Sequence, residues 1–211
     1  GWPSNTFTFV VREKEKQWQV PDGELQFKLK RIKCYDTTSG PGNDEIHWAV
    51  LRFRFLSDKV VVDEVSKGMR SFGDGNTHWP GHQLAAWDGP ANFPDVSNTW
   101  YILCMREVDS PHVDEPTFHP GNLQDMSFLA TGAWQNGWGQ ADVLDYIYES
   151  FDSFRWWFSH LGSDKIGSWT FRLNTGMMAH AVAHGKKRKS IALSGSGSSY
   201  GAWFDLDFYA Y

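Results

Sequence analysis

Apolar and polar residues alternate with a period of two along much of this chain, the pattern of strands that bury one face. Residues 5–12, rich in Phe, Val and Thr, predict a strand. Leu25, Phe27, Leu29 and Ile32 fall on one face and Lys28, Lys30 and Arg31 on the other, with a slip in phase near Arg31 that predicts a bulge. Residues 46–55 predict a strand with Trp48, Val50 and Phe53 towards the core. Residues 59–65 predict a valine-rich strand and residues 100–108 a buried one. Further strands are predicted over 168–173, 177–183, 190–193 and 202–211. In the last of these Phe204, Leu206 and Phe208 face inward and Asp205 and Asp207 outward. Pro21-Asp22-Gly23 predicts a turn, because proline presets φ and glycine tolerates positive φ.

One segment changes period. Leu144, Ile147, Tyr148, Phe151, Phe154, Phe158 and Leu161 recur at three- and four-residue steps, with Asp142, Asp145, Glu149 and Asp152 largely opposite. An amphipathic helix is expected over 140–161, with Asp142 in its first turn and Gly162 as its left-handed stop. Residues 71–98 and 110–138 are dense in Gly, Pro, Asn and Asp and read as long ordered loops. The first surrounds Trp79, Trp87 and Phe93. The second ends in an aromatic tip, Trp134 to Trp138. Neither an internal repeat nor a dividing linker is found. The expected architecture is mostly β: an antiparallel β-sandwich forming a single domain over 1–211, with a helical insertion over 110–162.

Composition narrows the classes. At 211 residues with 41% hydrophobic and 21% charged residues the chain has ample material for a core. No apolar run approaches the ~18 residues of a membrane span, and no charged-then-apolar leader opens the sequence. The compartment stays open, a secreted mature form included. A net charge of −5 argues against nucleic acid as a partner. The basic run Lys186-Lys187-Arg188-Lys189 is expected as a solvated hairpin tip. Two cysteines, Cys34 and Cys104, are too few for a disulfide framework and lack zinc-ligand spacing. Buried free thiols are expected, a single bridge between facing sheets being the other option. Twelve tryptophans exceed what a core alone would take up, so some are expected on the surface as contact sites.

The candidate chemistry lies in acidic residues where strands meet loops. Asp36, Asp44 and Glu45 flank one loop, Glu107 and Asp109 end a strand, and Asp164 opens another. A calcium ion takes six to eight oxygen ligands, and carboxylates from separate loops can supply them. Residues 29–36, then Gly40-Pro41-Gly42-Asn43-Asp44, then a strand, is similar to one half of a known pattern. Residues 101–109, followed by Asp164-Lys165-Ile166-Gly167, resemble the other half. The family is the calcium- and lipid-binding β-sandwich of synaptotagmins and protein kinase C, the C-two domain. That resemblance implies calcium as cofactor, with Asp36, Asp44, Glu107, Asp109 and Asp164 at ligand positions, and a membrane surface as partner. The chain departs from the family in having Asp44-Glu45-Ile46 where Asp-Pro-Tyr is usual, Glu107 for Asp, and about fifty residues between Asp109 and Asp164.

The expected role is therefore a non-catalytic, calcium-dependent binding module. Its acidic loops and the aromatic positions Trp79, Trp87, Trp134 and Trp138 would engage a membrane surface or another macromolecule. Three alternatives stand beside it, one of them a hydrolase using the acidic pocket, with Glu107 and Asp109 as its carboxylate pair. Tryptophans next to Asp and Asn in residues 72–100 are compatible with a carbohydrate-binding lectin. The 140–161 segment, with Trp156 and Trp157, is compatible with a secreted membrane-active toxin or defence protein. Elsewhere the sequence carries no nucleophile elbow, phosphate-cradling loop or zinc-protease helix. His180 and His184, and His78 and His82, are four apart, but both pairs are expected outside helices, where that spacing does not chelate.

Overall fold

The computed structural model describes residues 21–37, 43–108, 118, 120–150 and 163–211, with backbone alone for 163–165. The strand expected over 5–12 lies outside these residues. Nine strands are described: β1 (Gly23–Asp36), β2 (Asp44–Phe55), β3 (Val60–Phe72), β4 (Thr77–His78), β5 (His82–Asp88), β6 (Thr99–Val108), β7 (Ser163–Arg172), β8 (Lys186–Gly195) and β9 (Ser198–Ala210). They form two antiparallel sheets. The first runs β4-β1-β9-β8, with β5 pairing to the same edge of β1 as β4, and the second runs β3-β2-β6-β7. The β1 register shifts between Leu29 and Arg31, where the phase slip placed a bulge.

The expected β-sandwich with a helical insertion is present, and its two cores explain the sequence pattern. Between the sheets, Phe27 stacks on Phe204 at 5.5 Å and tilts against Tyr101 at 4.9 Å. Leu25, Leu29, Ile46, Trp48, Val50 and Leu103 complete this core. The outer face of the second sheet carries Ala49, Leu51, Phe53, Ile102 and Cys104, covered by helices α1 (Pro120–Gln135) and α2 (Gln140–Ser150). Strands β2 and β6 are thus buried on both faces, which is why they read as near-continuous apolar runs. Cys34 and Cys104 are buried and not joined by a disulfide, one lying in each core.

Several expectations are corrected. Residues 110–138 are not wholly loop, since α1 occupies 120–135. Proline is tolerated in its first turn, and Met126 and Ala130 are buried four apart against the second sheet. This helix also satisfies the edge of β3: the amides of Val60 and Val62 donate to Thr131 Oγ1 and Ser127 Oγ, each at 3.0 Å. The helix expected over 140–161 is described as α2 to Ser150, and its remainder lies outside the described residues. The predicted strand over 177–183 is instead helix α3 (Thr175–His184). Asn174 caps it by accepting from the Met177 amide at 2.9 Å, and Gly185 stops it at φ 77°. Residues 71–98 hold the end of β3, β4, β5 and a 3-10 helix, Pro90–Asn98. The basic run lies inside β8 rather than at a hairpin tip, because Arg188 and Lys186 are drawn to Asp205 on β9.

Candidate functional site: the acidic end of the sandwich

Antiparallel pairing brings the acidic positions to one end. On the first sheet Asp36, the last residue of β1, pairs with Ser199. On the second, Glu107 pairs with Ile46 on one side and Asp164 on the other, and Asp44 lies one same-face step beyond Ile46. Paired Cα atoms lie about 4.5–5.5 Å apart, so the backbones of Asp44, Glu107 and Asp164 occupy adjacent strands at one rim. Asp109 lies outside the described residues. Asp164 is placed by its backbone.

The two sheets are joined at this rim. Tyr200 of β9, paired with Cys34 of β1, donates its hydroxyl to Asp44 Oδ2 at 2.7 Å. Burial pushes the Tyr200 pKa far above the usual phenol value, and the bond to Asp44 adds to it. Burial likewise raises the Cys34 thiol. Asp44 and Glu107 are both buried, on the same face of the sheet as the inner core, whereas Asp36 is exposed. Two carboxylates in so protected a position need cations or hydrogen-bond donors close by.

A fifth acid at this end, Asp74, escaped the sequence reading. Its Oδ1 accepts from the Thr37 amide at 2.9 Å and hydroxyl at 2.8 Å, and these bonds hold its carboxyl below the usual range. The Cys34 amide donates to Asn76 O at 2.9 Å, pinning the same turn to β1. Its only sequence signal was the Gly73-Asp74-Gly75-Asn76 turn directly after β3. Among the described residues no group of three or more His, Cys, Asp or Glu side chains is gathered as a metal site.

On the opposite face of the second sheet at this end, His47 pairs with Arg106. Burial, helped by the neighbouring guanidinium, lowers the His47 pKa to about 4, and burial lowers Arg106 to about 10.

The four tryptophans are dispersed. Trp79 is 59% exposed on the outer side of the first sheet, and Trp87 is buried at the end of β5. Trp134 belongs to α1, donates Nε1 to Leu56 O at 2.8 Å and lies at the end remote from the acids. Trp138 is 45% exposed, edge-on to Tyr146 at 5.5 Å. Nearer the rim is a patch the sequence did not single out. The Arg31 guanidinium lies 3.7 Å from the Trp203 ring and 5.5 Å from Trp79. Tyr35, half-exposed, sits beside Trp203 at 6.3 Å with Lys33 Nζ 4.9 Å from its ring.

The histidine pairs are also placed. His82 Nδ1 and Ser66 Oγ are hydrogen-bonded at 2.8 Å, while His180 and His184 lie on α3 with ring centroids 4.5 Å apart. Comparison with family models, curated proteins and solved structures gives no match to this chain. No helix among the described residues is long and apolar enough to cross a membrane.

Proposed function

We propose that the protein is a non-catalytic docking module whose acidic end takes calcium and whose neighbouring aromatic and basic side chains meet an anionic membrane surface. The observation that carries this reading is the register. Glu107 stands between Ile46 and Asp164, with Asp44 on the adjacent strand tied to the facing sheet by Tyr200. Carboxylates supplied from separate strands at one rim are the ligand type that calcium prefers. Tyr35 and Trp79 supply amphipathic rings, and Arg31 and Lys33 supply positive charge, on the sheet face that ends at Asp36.

A native-state ligand raises the melting temperature as its concentration passes its dissociation constant. Millimolar calcium is therefore expected to stabilise the protein, magnesium much less, and Asp44→Asn with Glu107→Gln is expected to remove the response. Sedimentation with phosphatidylserine vesicles should require calcium and weaken in Trp79→Ala. An unchanged melting temperature in millimolar calcium would remove the ion, and sedimentation indifferent to chelator would remove its role in docking.

A further inference from the structure

We infer that the cleft at the opposite end of the sandwich is a binding site for a neutral sugar ring. Alternation along β2 puts residues 46, 48, 50, 52 and 54 on the face between the sheets. The first three are the core residues Ile46, Trp48 and Val50, but the last two are Arg52 and Arg54. An inward-facing strand that changes from apolar side chains to guanidiniums does not close a core; it lines a polar recess. A cleft of about 250 Å³ lies there, below the roughly 300–1,000 Å³ of sites for drug-sized ligands and suited to one small ring.

One wall donates hydrogen bonds. Arg52 gives Nη1 to Leu84 O and Nη2 to Asp63 Oδ2, both at 2.9 Å, and Arg54 gives Nη2 to the same Asp63 oxygen at 3.3 Å. A single carboxylate thus serves two guanidiniums, and among the described residues Arg54 Nη1 has no partner. The other wall accepts. Asp88 takes the Tyr211 hydroxyl, which is pushed up to about 12 by that bond, and Asn92 donates to the Asp88 carbonyl, leaving its own amide oxygen available. Asp95 has no side-chain partner among the described residues. Asn98 is oriented by Gln140, which donates to its oxygen at 3.2 Å and is itself held by Trp100 Nε1 at 2.8 Å. Phe55, Leu56, Ala85 and Trp87 give the recess apolar surface.

The opposed walls select the ligand chemistry. Two guanidiniums set against Asp63, Asp88 and Asp95 leave no excess positive charge to choose an anion. A sugar hydroxyl both donates and accepts, so neighbouring hydroxyls can span an arginine and a carboxylate while the C–H face of the ring lies on the apolar floor. The site draws on residues at the far end from the acidic rim and does not depend on calcium binding there.

Saturation-transfer NMR on the 211-residue protein, with glucose, galactose, mannose, N-acetylglucosamine, glucuronate and glutamate as separate probes, tests the assignment. At least one neutral sugar is expected to receive saturation, equally with calcium or chelator. Arg54→Met and Asp95→Asn, both partly or fully exposed and so compatible with folding, should each weaken it about tenfold, while Trp79→Ala leaves it unchanged. The inference is overturned by silence from every neutral sugar at millimolar concentration. It is equally overturned by undiminished binding in both cleft variants, or by preferential binding of glucuronate or glutamate. Loss of calcium stabilisation would bear on the acidic end alone.

Discussion

The Tyr200 hydroxyl donates to Asp44 Oδ2 at 2.7 Å and so joins the first sheet to the second at the acidic end. Both groups are buried, and removing the donor costs Asp44 one of its hydrogen bonds where solvent has little access to replace it. Tyr200→Phe should therefore lower stability by about 1–3 kcal/mol, measured as a fall in denaturant midpoint at constant slope. Asp44→Asn retains an acceptor oxygen and should be milder. An unmoved midpoint in Tyr200→Phe would show that the bond contributes nothing to joining the sheets.

His47 makes stability depend on acid. Its two ring nitrogens are buried without a hydrogen-bond partner among the described residues, and its pKa is lowered to about 4 from an ordinary value near 6.5. Between those values the unfolded chain binds a proton that the folded chain refuses, so stability rises with pH there. The contribution is complete above pH 6.5 and lost as pH falls towards 4, amounting to about 3 kcal/mol at most. Denaturant midpoints at intervals from pH 7 to 4 should slope downward in the parent and flatten in His47→Leu. Equal slopes would place the acid sensitivity elsewhere.

What the sequence disclosed follows from which forces act locally. Leu25, Phe27 and Leu29 alternate with Gln26, Lys28 and Lys30 because β1 is buried on one face, so period and bulge were both readable. The insertion between β6 and β7 was readable from the apolar stripe at Leu144 and Ile147. Helix α1 was not: Pro120, Gly121 and Gly132 resemble loop residues, and what orders them is docking on β3 through Ser127 and Thr131. Helix α3 is short, and its Met and Ala residues fit either period until Asn174 and Gly185 are recognised as caps. Asp44 and Glu107 were visible as acids at strand ends, but their adjacency depends on pairing between distant segments. Arg52 and Arg54 were overlooked because their phase matters only once Ile46, Trp48 and Val50 are known to face the other sheet.

Gly68 is required by close approach. It pairs with Trp48, and a β-carbon there would lie 2.2 Å from Trp48 Cζ2 and 2.6 Å from Cη2. The indole is buried in the inner core. Gly68→Ala should therefore cost about 1–3 kcal/mol through overpacking, despite the better strand propensity of alanine. A thermal melt provides the comparison, with Gly132→Ala as control, since nothing lies within 4 Å of a β-carbon at that position. Equal melting temperatures for the two variants would contradict the packing argument.

Asp205 faces away from the inner core yet is fully buried, because Arg188 and Lys186 close over it. Arg188 Nε and Nη2 reach Asp205 Oδ1 and Oδ2 at 2.7 and 3.1 Å, and Lys186 Nζ lies 3.4 Å from Oδ2. Burial opposes its charge, but these cations more than offset that and hold the carboxyl below its usual range. A fully buried pair broken at one side loses about 3–5 kcal/mol; here both cations are half-exposed and regain water, so Asp205→Asn should lose about 1–3 kcal/mol. Because the folded pKa is depressed, this stability is present above the unfolded carboxyl value near 3.9 and disappears as pH falls through the folded value. The stability gap between parent and Asp205→Asn, followed by urea titration, should be constant from pH 7 to 5 and shrink below 4. A gap that persists at pH 2 would mean that the variant damages packing rather than an ion pair.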